Sequence, residues 1–418
     1  IVGLWNENVW LASKGGGIGS YWGNLRSIGE DVSTNGKTSG IIPFIRVMDS
    51  QTLAISQGSL RRGSAAVYLP ISHPEIEEFI EIRRPTGGDP NRKALNLHHG
   101  IAVSNAFMRA VEADEEWALT SPHDGAVQKT VSARDLWVRI LTARIETGEP
   151  YILYIDHVND ATPEHHKLAG LNVKTSNLCC EITLPTGIDH LGEQRTAVCC
   201  LSSINLEKYD EWKDHDLFIE DLMRFLDNVL QDFIDRAPDS ASISIICGGA
   251  SPGIEPIAAN SFTQKTLSGS FNVRNRALKI LLEEKGKNTD EVWSNITVNG
   301  GSVQHLDFLE DHEKDVFKTA FELDQRWVVE HSADRAPMVD QAQSVNIFLA
   351  ADVHKRDLHQ IHFQAWKKGL KSLYYCRSLS IQRAESSEAS GEGAKEEMLK
   401  AMAKAQESSD YEECLSCQ

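Results

Sequence analysis

Residues 176–181 read Ser176-Asn177-Leu178-Cys179-Cys180-Glu181, and residues 197–205 read Ala197-Val198-Cys199-Cys200-Leu201-Ser202-Ser203-Ile204-Asn205. Both stretches read as strands, on which alternate residues share a face. That rule places Asn177, Cys179 and Glu181 on one face, with Leu178 and Cys180 on the other. An amide, a thiol and a carboxylate together suit a reaction that needs a sulfur-centred reactant, a group that orients hydroxyls and a proton acceptor. A plain buried strand with two small apolar cysteines is the competing reading. The second stretch is expected to lie beside the first. A zinc site would want Cys or His pairs at wider spacing near turns. Adjacent cysteines on a strand point their sulfurs oppositely, so no metal site is expected here.

Working outward, Ala65 to Pro70 is an apolar run that suits a buried strand. The first hundred residues otherwise read as short strands and Gly-rich loops. Gly15 to Gly19 opens a helix-like stretch from Tyr21 to Ile28, followed by a polar loop from Glu30 to Ser39 and a second loop from Ser56 to Ser64. Ser132 can cap a helix from about Ala133 to Glu146, ended by Gly148 and Pro150. Phe218, Leu222, Phe225, Val229, Leu230 and Phe233 recur at helical spacing over 217–234. A further helix over 355–368 ends at Gly369, and Ser372 to Cys376 reads as a strand. Alternating helices and strands indicate an α/β class. Residues 384–410, rich in Ser, Glu, Ala, Lys and Gly, read as a flexible linker that ends in Cys414-x-x-Cys417.

The chain of 418 residues carries a net charge of −18, which argues against a nucleic-acid-binding surface. No apolar run is long enough for a membrane span, and no basic start with an apolar stretch marks a secretory signal. A cytoplasmic location is expected. The chain starts at Ile1, as expected of numbering that begins inside a longer product. The eight cysteines fall mostly in tight groups: Cys179-Cys180, Cys199-Cys200, and Cys414 with Cys417, beside single Cys247 and Cys376. Such groups in a reducing compartment suggest redox work. A Cys pair on a mobile tail can exchange disulfides with an internal site. Ser240, Ala241, Ser242, Ser244 and the Gly15–Gly19 loop are phosphate candidates without a dinucleotide or Walker spacing. Tyr374-Tyr375 alone would be read as packing.

The order of these signals is more specific than any one of them. Ser176-Asn177-Leu178-Cys179-x-Glu181 comes first, then Cys199-x-Leu201-Ser202-x-x-Asn205-Leu206. Gly253-Ile254-Glu255-Pro256, Leu373-Tyr374-Tyr375 and a terminal Cys pair follow. The sequence resembles the large, catalytic subunit of class I ribonucleotide reductases over nearly its whole length. Trp10-Leu11-Ala12-Ser13 with Gly16-Gly17-Ile18-Gly19 looks like that family's early barrel, and Gln57 to Gly63 like its specificity loop. Asp324 to Trp327, Asp334 to Pro337 and Gln341-Ala342-Gln343-Ser344 also match.

The resemblance implies a ten-stranded-type α/β barrel over 1–383. Effector loops would lie at about 26–64, a finger loop at about 171–206, and a flexible tail at 384–418. It implies reduction of ribonucleoside diphosphates to 2′-deoxyribonucleoside diphosphates. A metal-containing small subunit, diiron or manganese in type, would withdraw an electron through Tyr375 and Tyr374 and make Cys179 a thiyl radical. That radical would abstract the substrate 3′ hydrogen, with Glu181 taking the 3′-hydroxyl proton and Asn177 holding the ribose hydroxyls. Cys199 and a partner cysteine would reduce the 2′ position. Cys414 and Cys417 would re-reduce them and be reset by thioredoxin or glutaredoxin. Ser13, Gly16 and Gly17, with Ser240, Ala241, Ser242 and Ser244, would bind substrate. Arg26, Gln57, Arg61 and Arg62 would respond to dNTP or ATP effectors. No cofactor is expected to bind the chain directly, and a homodimer is implied.

Two departures stand out. No cysteine precedes Cys179, so the partner of Cys199 is missing, and strand alternation points Cys180 and Cys200 away from that role. Arg236 to Ser240 also runs straight into Ala241-Ser242-Ile243, where the family usually carries a sizeable helical segment. The chain therefore reads as a fragment, a shortened form or one piece of a split enzyme. A cobalamin-dependent reductase would not need Tyr374-Tyr375. A fragment that binds nucleotide or subunit without turnover is the alternative from another class.

Overall fold

The computed structural model describes residues 1–32, 36–55, 63–236, 253–266, 269–350 and 353–378. The expected tail, Gln57, Arg61, Arg62, Ser240, Ala241, Ser242, Ser244, Cys414 and Cys417 lie outside the described residues. The centre of the fold is one five-stranded sheet. Its strands are β1 (Gly17–Tyr21), β2 (Ser64–Pro70), β3 (His98–Val103), β4 (Tyr151–Tyr154) and, at the far edge, β6 (Ser372–Leu373). The β1/β2, β2/β3 and β3/β4 pairings are parallel, and β4/β6 is antiparallel. A separate parallel pair joins β5 (Ile347–Leu349) to β7 (Cys376–Ser378).

Strand periodicity divides the sheet cleanly. Ala65, Val67 and Leu69 of β2 and Ile152 and Tyr154 of β4 enter the main core. Their neighbours Ala66, Tyr68, Tyr151 and Leu153 face a second cluster on the opposite side. Both faces are covered, which is why β2, β3 and β4 are buried along nearly their whole length and β2 and β4 read as near-continuous apolar runs rather than alternating ones. The main core is roofed by helices α1 (Val2–Ser13), α2 (Ile42–Ile55), α3 (Ala133–Thr147) and α5 (Lys355–Lys367), through residues such as Ile45, Met48, Trp137, Ile140 and Ile361. Helix α4 (Phe218–Arg236) lies outside it. A satellite core gathers Leu278, Leu282, Trp293, Ile296, Val303 and Phe317.

The caps of α3 follow the sequence: the Ser132 side chain accepts from the Asp135 N–H, and Gly148 takes φ 82° beyond the last turn. Helices α4 and α5 also form where expected. Other expectations are corrected. Helices α1 and α2 occupy ground read as loops and strands. The buried Asn8 of α1 spends its amide on Thr52 Oγ1 of α2 at 3.1 Å, which obscures the apolar stripe. Gly17–Tyr21 is a strand, and residues 22–28 are turns rather than a helix. Trp22 there is buried, its backbone N–H donating to the Tyr68 carbonyl and its indole N–H to Ser20 Oγ. Neither 176–181 nor 197–205 is a strand. The strand read from Ser372 to Cys376 breaks at Tyr374-Tyr375. Among the described residues no helix is long and apolar enough to cross a membrane.

Candidate active site

The finger segment crosses the inner face of the sheet where β1 carries Gly19. A Cβ there would lie 1.8 Å from the Ser176 carbonyl oxygen, so only glycine allows the approach. The chain then turns sharply: the Cys180 N–H donates to the Asn177 carbonyl at 3.3 Å, and Cys180 takes φ 66°. This turn, not a strand face, brings Asn177 and Glu181 together. Asn177 Oδ1 accepts from the N–H groups of Glu181 (3.1 Å) and Ile182 (3.0 Å), and Asn177 Nδ2 donates to Glu181 Oε1 at 2.8 Å. Asn177 thus shapes the turn and leaves one amide hydrogen for anything else.

Residues 341–344 clamp the turn from the other side. The Ala342 N–H donates to the Glu181 carbonyl, and the Thr183 N–H to Gln341 Oε1. The Ser344 hydroxyl lies 2.7 Å from the Cys179 carbonyl and 2.9 Å from Glu181 Oε2; its single hydrogen serves one at a time. Burial raises the Glu181 carboxyl above its ordinary range, against the lowering pull of Asn177 and Ser344. A carboxylate so placed is a stronger base than a solvated one. Lys371 braces the clamp, its ammonium reaching the carbonyls of Asp340 (3.1 Å) and Gln341 (2.9 Å), and that of Val339.

Cys179 is 5% exposed and sits in one apolar cluster with Tyr68, Tyr151, Tyr374 and Tyr375. Its sulfur is disulfide-bonded, so any chemistry of a Cys179 thiol requires prior reduction. The Tyr374 and Tyr375 ring centroids are 4.2 Å apart, and Tyr151 stands 4.6 Å from Tyr374 and 5.2 Å from Tyr375. The break between β6 and β7 fixes the pair. The Tyr374 N–H donates to the Val345 carbonyl, the Tyr375 carbonyl accepts from the Ile347 N–H, and the buried Arg144 donates to the Tyr374 carbonyl at 2.9 Å. Tyr68 Oη donates to the Asn177 carbonyl at 2.7 Å, tying sheet to finger.

Cys180 is fully buried against Tyr68, and burial pushes its thiol up to about 12. A thiol so reluctant to ionise is a poor exchange partner, whatever strand alternation would have said. Cys199 is half-buried in the irregular segment 196–205 and is not part of the tyrosine cluster. Ser13 and Gly16 sit where α1 hands over to β1, with Ser13 Oγ donating to the Trp10 carbonyl and the Gly16 N–H to the Leu11 carbonyl; exposed Gly17 begins β1. Arg26 lies against the His123 ring, 2.9 Å from Nε2. The loop after it is closed at its base by Glu75, whose Oε2 accepts from the N–H groups of Ile28 and Ile41. Sequence reasoning passed over Glu75, Tyr68, Tyr151, Lys371 and the clamp role of Ser344. Only the last had a signal, in the 341–344 motif.

The ribonucleotide reductase barrel domain matches residues 1–239 and 233–376. The two matches meet where an internal segment was expected to be missing. The ribonucleoside-diphosphate reductase large subunit of Invertebrate iridescent virus 3 is 35% identical over 91% of this chain and 81% of its own length. That of Invertebrate iridescent virus 6 is 40% identical over 90% and 83%. Among solved structures, the Actinobacillus ureae class Id ribonucleotide reductase alpha subunit aligns with a TM-score of 0.73 at 27% identity, over 90% of this chain and 81% of that one. The chain belongs to the ribonucleotide reductase family and carries the barrel domain of its large subunits.

Proposed function

We propose that this chain reduces ribonucleoside diphosphates to 2′-deoxyribonucleoside diphosphates for DNA synthesis, with Cys179 as the hydrogen-abstracting residue. The observation that supports this most is the continuous buried path from Tyr375 through Tyr374 to the cluster holding Cys179. A metal-containing small subunit, diiron or manganese in type, would supply the oxidant for Tyr375. The hole passes to Tyr374 and then to the Cys179 thiol, each oxidised group giving up its proton and each reduced tyrosine regaining one, and the resulting thiyl takes the 3′ hydrogen of the substrate. Glu181, already drawn to a higher proton affinity, receives the 3′-hydroxyl proton, and the remaining Asn177 amide hydrogen contacts the ribose. The 2′ hydroxyl leaves as water, and Cys199 with a partner thiol supplies the two electrons and the hydrogen that replaces it, becoming a disulfide. Cys414 and Cys417 reduce that disulfide again and are reset by thioredoxin or glutaredoxin in a reducing compartment such as the cytoplasm. Ser13, Gly16, Gly17, Ser240, Ala241, Ser242 and Ser244 belong to the substrate side. Arg26, Gln57, Arg61 and Arg62 respond to dNTP or ATP.

A homodimer is part of the same proposal, supported by α1 and α2, which pack together and leave Val2, Trp10, Val47 and Leu53 exposed. A non-catalytic remnant is not favoured by relatives matched over about four fifths of their length. The test is Tyr375→Phe, assayed with small subunit, dithiol, CDP and ATP. Turnover should vanish while nucleotide binding persists; unchanged turnover would remove the radical path.

A further inference from the structure

Behind Tyr375 lies a buried polar group that the reaction as described does not use. Glu149 is fully buried and is approached by four groups. The His99 N–H donates to its Oε2 at 2.9 Å, His99 Nδ1 lies 3.0 Å from the same oxygen, His98 Nδ1 lies 2.6 Å from Oε1, and Arg83 Nε is 3.7 Å from Oε1. Burial alone would raise this carboxyl; Arg83 and the two histidines outweigh it and hold it well below the usual range. A carboxylate at 2.6 Å requires the hydrogen of His98 to sit on Nδ1. The same Nδ1 lies 3.1 Å from Tyr375 Oη. The His98 ring also stacks on Tyr151 at 6.1 Å, with an interplanar angle of 14°.

We propose that His98, oriented by Glu149, is a positioning residue for Tyr375, sharing its Nδ1–H with the phenol oxygen and so fixing the outer ring of the tyrosine path. The donated hydrogen bond occupies an oxygen lone pair, and the phenol's own hydrogen points elsewhere. This deepens the proposed function and rests on Tyr375 being the entry point for the radical. An exposed tyrosine would take many rotamers. This one is held by a ring whose own orientation is set by a buried carboxylate, and a shift of about 1 Å in a reacting group costs on the order of 100-fold.

The bond itself is measurable without the small subunit. Trifluorotyrosine, whose phenol ionises near neutral pH, is placed at position 375 in the full chain, and its midpoint is read by fluorine NMR. A hydrogen bond donated to the phenolate favours ionisation, so His98→Phe should raise the midpoint by about one to two pH units. His98→Asn, which keeps an N–H in a similar place, should recover most of that shift. His98→Leu repeats the test if the Phe variant does not fold. In the unlabelled enzyme with small subunit, His98→Phe should lower turnover about tenfold or more and His98→Asn restore much of it. An unmoved midpoint, or a midpoint that moves while turnover does not, overturns the inference. Tyr375→Phe separates the two levels. If it is inactive and the His98 variants behave as the parent, the radical path stands and the His98 role fails. If it turns over normally, the radical path itself fails.

Discussion

Gly19→Ala perturbs the site through a single methyl group. The added carbon would sit 1.8 Å from the Ser176 carbonyl oxygen and 2.7 Å from the Asn177 Cα, both backbone atoms of the finger turn. An ordinary carbon–oxygen contact is about 3.3 Å, so the finger or β1 must give by about 1.5 Å. Overpacking of this kind costs about 1–3 kcal/mol of stability, which a domain of ordinary stability, about 5–15 kcal/mol, survives. The turn that carries Cys179 and Glu181 moves with Ser176, and a displacement of about 1 Å is worth on the order of 100-fold in rate. The assay is deoxycytidine diphosphate formation with small subunit and dithiol, beside a thermal melt. Gly3→Ala is the control, because nothing lies within 4 Å of a Cβ there. Gly19→Ala should fold, melt slightly lower and lose about 100-fold in turnover. A folded variant turning over within a factor of two of the parent would refute the claim that β1 positions the finger.

Three further outcomes follow from the same geometry. Glu181 must be ionised to accept a proton and burial raises its carboxyl, so kcat/KM should climb with pH through a value above that of a solvated glutamate; Glu181→Gln should abolish both turnover and that acid limb, and an unmoved limb would assign it to another group. His362 Nε2 accepts from Arg144 Nε at 3.0 Å, and burial first, then Arg144, holds its imidazole down to about 3. The unfolded chain therefore binds the extra proton between about 6.5 and 3, so stability from this site is full above 6.5 and falls as pH drops, by about 2 kcal/mol between pH 6.5 and 5; urea titrations at the two pH values should show the loss, and His362→Gln should remove it. Lys371→Met strands several carbonyls behind the 341–344 clamp, costing about 1–3 kcal/mol by urea unfolding, with turnover falling further than stability alone explains; an unchanged midpoint would deny the brace.

The parts of the fold fixed by local chemistry were legible in the chain. Ser132 and Gly148 mark the ends of α3, and Ala65 to Pro70 reads as a buried strand, because caps and apolar runs act over a few residues. Helices α1 and α2 were not legible: a buried Asn8 bonded to Thr52, and a proline at position 43 that starts a helix, look like loop signals. The site residues were found for a reason the structure corrects. Asn177, Cys179 and Glu181 belong together, but through a left-handed Cys180 and an amide that accepts two N–H groups, which no period-2 pattern encodes. Tyr374-Tyr375 by itself reads as packing and stood out only through the resemblance, because the groups that hold it, Tyr151, Val345 and Arg144, are distant in sequence. Contacts between residues that far apart in the chain leave little local trace.

The most direct test of the account is the product formed by Cys179→Ser. With small subunit, dithiol, CDP and ATP, the parent chain should yield deoxycytidine diphosphate, supplied if necessary with a fragment carrying the partner thiol of Cys199. The serine variant should yield none while binding nucleotide and small subunit as the parent does. Deoxycytidine diphosphate formed by Cys179→Ser at a rate near the parent's would contradict the account, because the hydrogen-abstracting sulfur would then lie elsewhere.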